Sequence, residues 1–130
     1  MPTYDFNDFK RACGKKSNVF VWKHAKENAA EFFNLKTEDR LLDFIHNDGL
    51  ENLMFQDTET LKLEIPDKGS IIDAYEFRTG NLLGYIGFYR SKITGNWIIE
   101  SFKLSRKMIF TIADTFNSAL KLKNAGDKNG

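Results

Sequence analysis

Between residues 71 and 104 the chain carries three consecutive strand-like runs, 71–78, 82–90 and 97–104, in which one alternating set of positions is apolar and the other polar. Side chains two apart on a strand share a face, so this alternation demands a sheet with one side in a core and the other turned to a polar environment. The links are short: Thr79, Gly80 and Asn81 join the first two runs, and residues 91–96 join the last two. Such spacing defaults to a meander of sequentially paired antiparallel strands.

The preceding half reads mainly as helix. Asp5 or Asn7 caps a short helix whose apolar side is Phe6, Phe9 and Ala12 or Cys13, and Gly14 stands where it ends. Lys15 and Lys16 lead into a short strand at 19–22, followed by a helix over 24–33 with Ala25, Ala29 and Phe32 or Phe33 on its sheet-facing stripe. Thr37 caps the next helix, with Glu38 and Asp39 in the first turn and Leu41, Leu42, Phe44 and Ile45 on the buried side; Asp48 and Gly49 close it. A strand at 53–56, a turn at 57–59 and the alternation of Leu61, Leu63 and Ile65, stopped by Pro66, come next. Ser105 caps a last helix running to about Lys121, with Ile109, Ile112, Ala113, Phe116 and Leu120 along one face. The expected class is therefore α+β: N-terminal helices, a four- or five-stranded antiparallel sheet, and a C-terminal helix packed on it. Residues 1–123 make a single domain and 124–130 a frayed polar tail.

A chain of 130 residues, 42% hydrophobic and 14% aromatic, has the means to bury one core. Its 19 basic and 18 acidic side chains leave a formal charge of +1, so any surface for nucleic acid has to arise from local segregation of charge. Cys13 is the single cysteine, which excludes an intrachain disulfide framework and fits a reducing, cytoplasmic setting. No apolar run approaches the roughly 18 residues of a spanning helix, so no membrane partner is expected. No Gly-rich phosphate loop, Gly-x-Ser-x-Gly elbow or His-Glu-x-x-His helix is present, and neither a metal nor a cofactor is implied.

Functional expectations centre on the polar sheet face. If Ile86 and Phe88 turn to the helices together with Ile98, Phe102 and Leu104, then Tyr85, Tyr89, Trp97, Ser101 and Lys103 emerge opposite, joined by Glu76 and Arg78 from the preceding strand. Glu100 then points inward and does not fit, which signals a paired buried carboxylate, a bulge or a wrong register. Tyrosine rings stack on unpaired bases, while Arg and Lys neutralise phosphate and the charge that accumulates in a phosphorane. Attack by a ribose 2′-hydroxyl further needs a base and a leaving-group acid, which His, Glu and Tyr supply.

The segment Gly84-Tyr85-Ile86-Gly87-Phe88, followed by Trp97-Ile98-Ile99-Glu100-Ser101-Phe102-Lys103, resembles the terminal hairpin of RelE/barnase-like (BECR) ribonuclease toxins, especially the MqsR type. The resemblance implies active-site roles for Tyr85 and Lys103. Lys23-His24-Ala25 is similar to a His-Ala segment of some RelE-like relatives, and a His at a helix N-terminus is disfavoured as imidazolium, which suits a base. The implied function is a metal-independent endoribonuclease of toxin type. His24 or Glu76 acts as base, Arg78, Tyr85 and Lys103 stabilise charge, Ser101 orients the scissile phosphate, and Lys23, Tyr89 and Trp97 hold RNA. An antitoxin or immunity protein is the partner this implies. The alternative is a non-enzymatic interaction module, such as an immunity protein, inhibitor or phage regulator, using the same aromatic face as a protein interface.

Overall fold

Two of the described α-helices, the first and the third, start where a side chain accepts an N–H of the first turn. In the computed structural model, which describes residues 1–61 and 67–107, the Asp5 carboxylate accepts the Asn7 N–H at 2.8 Å and opens α1, Phe6–Cys13. Gly14 follows in a right-handed conformation, so its lack of a side chain serves space: a Cβ there would lie 2.7 Å from the His46 ring. A short strand, β1 (Val19–Val21), leads into α2 (Lys23–Phe33), which ends on Asn34 in the left-handed region. The Thr37 hydroxyl accepts the Arg40 N–H at 3.1 Å and caps α3, Glu38–His46. Glu38 and Asp39 sit in its first turn, where carboxylates oppose the positive helix end.

Among the described residues five strands make one sheet in the order β1-β5-β4-β3-β2, with β2 at Glu51–Thr60, β3 at Ile71–Thr79, β4 at Leu82–Arg90 and β5 at Trp97–Leu104. The α+β class and the meander of β3, β4 and β5 are as the sequence predicts. Two features differ. β1 pairs in parallel with β5, Val19 opposite Trp97, and closes one edge of an otherwise antiparallel sheet. The expected turn at 57–59 lies within β2, which shifts register twice against β3. Asp57, Thr58 and Glu59 have a turn-like composition because β2 is an edge strand whose side chains mostly meet water. Leu63, Ile65, the C-terminal helix beyond Lys107 and the tail at 124–130 lie outside the described residues.

Helices cover one sheet face, and a cluster of aromatic rings runs through the aliphatic core between them. Phe9 of α1 stacks on Phe88 of β4 at 4.0 Å between centroids, Tyr75 stacks on the same Phe88 at 5.9 Å, and Phe33 of α2 packs edge-on against Phe102 at 4.9 Å. Trp97 and Ile99 belong to this core. The expectation that Trp97 faces outward and Ile98 inward is therefore corrected. The cause is a bulge: Gly87 pairs with Ser101 and Phe88 with Ile99, so Glu100 is an extra residue on β5. One inserted residue reverses the parity of everything before it, which leaves Phe102 and Ile99 on the same side.

Asp73, fully buried on β3, accepts the backbone N–H groups of Thr3 at 3.0 Å and Tyr4 at 2.8 Å. The Tyr4 hydroxyl donates to the Ile71 carbonyl at 2.6 Å, so the segment before α1 is tied to the middle of the sheet.

Candidate functional site

Three outward-facing residues stand in register across the sheet: Glu76 of β3 opposite Tyr85 of β4, and Tyr85 opposite Lys103 of β5. Cross-strand neighbours are close enough to interact directly. The Lys103 ammonium lies 5.2 Å from the centre of the Tyr85 ring, a cation–π contact. Around this row opens a cleft of about 520 Å³, bounded by Gln56 and Glu59 of β2, by Glu100 and Ser101 of β5, and by Ser105, Arg106 and Lys107 just beyond it.

Several polar groups of the cleft are paired. Ser105 donates its hydroxyl to the Glu76 carboxylate at 3.1 Å, and the Lys107 ammonium approaches the same oxygen at 3.6 Å. Ser101 donates to Glu100 at 2.5 Å. Gly87, beneath them, leaves room for that carboxylate: a Cβ there would stand 3.3 Å from a Glu100 oxygen. Burial, and then the nearby carboxylates of Glu59, Glu100 and Asp57, push the Tyr85 phenol up to about 12, against a smaller opposing effect of Arg106. Tyr85 is thus a proton donor throughout the neutral range.

The structure gathers Glu76, Tyr85, Ser101 and Lys103 and leaves the other expected site residues elsewhere. Arg78 is exposed on the same strand as Glu76, outside the cleft lining. Lys23 and His24 are exposed at the start of α2; Lys23 reaches Glu27 at 3.9 Å, and His24 meets Trp22 edge-on at 5.8 Å. Two RNA-stacking roles are corrected by burial. Trp97 is 6% exposed in the helix-side core, and Tyr89, although on the outer face, is 1% exposed in a small cluster with Leu61 and Ile72. Neither ring has a face open to a base.

Sequence reasoning missed Gln56, Glu59, Ser105, Arg106 and Lys107 as cleft residues. Glu59 and Gln56 arrive on the edge strand, which nothing local connects to the hairpin. Glu100 did carry a signal, since it broke the alternation of β5.

A second hollow of about 660 Å³ adjoins the first and shares Glu59 and Glu100 with it; Trp22, Thr58, Thr60, Leu61 and Ile72 complete its walls. Behind this wall Tyr89 is buried with Leu61 and Ile72, Trp22 packs against that cluster, and Ser91 donates to Asp67 at 2.8 Å. Burial, followed by the Asp67 carboxylate, raises the Tyr89 phenol to about 12.

No protein-family model, curated protein or solved structure matches this chain. Among the described residues no helix is long and apolar enough to cross a membrane.

Proposed function

We propose that this chain is a metal-independent endoribonuclease of toxin type whose active site is the outer-face cleft. The observation that carries the reading is the Glu76–Tyr85–Lys103 row, which sets a carboxylate, a protonated phenol and an ammonium side by side across three strands. In this reading Glu76 takes the proton of a ribose 2′-hydroxyl as its oxygen attacks phosphorus. Tyr85 gives its proton to the departing 5′-oxygen as the P–O5′ bond breaks. The products are a 2′,3′-cyclic phosphate and a 5′-hydroxyl. Lys103 and Arg106 stabilise the phosphorane charge, and Ser101, held by Glu100, positions a phosphate oxygen. Of the two bases expected, Glu76 is preferred to His24 because His24 is not among the residues that line the cleft.

The site suits a cytoplasmic enzyme, and an antitoxin or immunity protein that covered the cleft would silence it. The resemblance of the β4–β5 hairpin to RelE/barnase-like toxins supports the same reading through Tyr85 and Lys103.

The test is incubation of wild-type protein and Lys103→Ala with total RNA in excess EDTA, read by gel and by mapping of 5′ ends. Cleavage by wild type with a 100- to 1000-fold loss in the variant is expected, about what a single transition-state charge contact contributes. Intact RNA in both overturns the enzymatic reading. It would move the balance to a protein-interaction module, for which mixed charge around the cleft is ordinary.

A further inference from the structure

The second hollow differs in chemistry from the first. Its wall is an indole, two threonines and two aliphatic side chains, while Glu59 and Glu100 stand at its boundary with the cleft. Trp22 is partly exposed, and its inner side packs against the buried cluster of Leu61, Ile72 and Tyr89. What it turns outward is a largely apolar π surface backed by that cluster. Tyr89 is too buried to touch a ligand and serves as packing beneath the indole.

We propose that this hollow is a nucleobase subsite, in which an unpaired base packs against Trp22 and presents its hydrogen-bonding edge to Glu59 and Glu100. The proposal rests on the ribonuclease reading of the neighbouring cleft, since it gives the base beside the scissile phosphate a place to sit. Carboxylates only accept hydrogen bonds when ionised, so the subsite selects bases by their donors. Guanine offers adjacent N1–H and N2 amino donors and fits best. Adenine and cytosine offer one amino group next to a ring acceptor. Uracil places its one N–H between two carbonyl oxygens, which the carboxylates repel. The order expected is guanine first and uracil last. Because both hollows share Glu59 and Glu100, one nucleotide spans them with its phosphate toward Lys103 and its base toward Trp22.

The experiment is titration of the whole chain with the four nucleoside 3′-monophosphates, followed by tryptophan fluorescence, in parallel with sequencing of RNA ends produced by the same preparation. Guanosine monophosphate should quench at a concentration at least about tenfold lower than uridine monophosphate, the discrimination expected of one good paired contact. Trp22→Phe keeps an aromatic ring in the cluster and should abolish the change in signal, since Trp97 is buried. Glu59→Gln adds a donor to the rim and should narrow the guanine–uracil gap severalfold. Equal quenching by all four nucleotides, or quenching that survives Trp22→Phe, overturns the subsite. RNA cut without base preference also overturns it while leaving the ribonuclease reading intact. Selective quenching with RNA left whole upholds the subsite and removes the cleavage reading.

Discussion

The two faces of the sheet use the same residue types to opposite ends. Toward the helices, Phe9, Tyr75, Phe77, Phe88, Trp97 and Phe102 fill space with ring contacts between 4.0 Å and 5.9 Å. On the outer face, Trp22, Tyr85 and Tyr89 stand among carboxylates, hydroxyls and ammonium groups, and two hollows remain. An aromatic side chain is thus core or site according to what lies beside it, and its identity decides neither. The helix side supplies the rigidity that holds Glu76, Tyr85 and Lys103 in one row, because each of these strands is anchored by its inward residues.

Substitutions on the two faces should therefore separate stability from activity. The largest effect belongs to Phe9→Ala: loss of the ring stacked on Phe88 should cost about 3–5 kcal/mol, read by denaturant or thermal unfolding, with the cleavage rate per folded molecule unchanged. Tyr85→Phe should do the reverse, lowering RNA cleavage about 100-fold, equivalent to ~2.7 kcal/mol in the barrier, while leaving the circular-dichroism spectrum as it was. A protein that cleaves normally without the phenol would remove Tyr85 from the acid role. Asp73→Ala tests the tie beneath the core: with the Thr3 and Tyr4 N–H groups left unpaired, unfolding should become easier by about 1–3 kcal/mol.

Alkali provides a smaller signature. An ordinary phenol titrates near 10 and Tyr85 at about 12, so the folded state favours its protonated form. The resulting stability is fully present below pH 10 and is lost as pH rises through 12; Tyr85→Phe should flatten that part of the melting-temperature profile. Tyr89 has the same direction and should leave a residual slope in that variant. The smallest effect is expected of Gly87→Ala, whose methyl group would press on the Glu100 carboxylate from 3.3 Å. Cleavage should fall by less than about tenfold, or ~1.4 kcal/mol, with little change in melting temperature.

Much of this architecture was legible because its signals are local. Asp5 and Thr37 cap the helices they were expected to cap, and the alternation along β3 and β4 places Glu76 and Tyr85 on the outer face. The failures are of two physical kinds. Parity is a cumulative property, so a single bulge at Glu100 was enough to send Trp97 and Ile98 to the wrong sides, even though the residue at fault was visible as a misfit. Proximity between distant segments has no local signature. Glu59 and Trp22 enter the outer face from β2 and from the end of β1, and neither carries in its own neighbourhood any mark of the β4–β5 hairpin.

The parallel pairing of β1 with β5 has a consequence in time. Val19 finds its partner in Trp97, on the last of the described strands in chain order, so that edge is expected to close only after the intervening helices and hairpins have been gathered. Helical segments and the β3–β4–β5 meander are made of near-neighbour contacts and collect quickly, whereas closing so long a loop costs chain entropy before any ladder bond repays it. β1 is thus expected to dock late, after the rate-limiting step, so that weakening it should quicken unfolding and leave the folding rate nearly as it was. Trp22 follows β1 directly, and the hollow it walls is completed only at that final step.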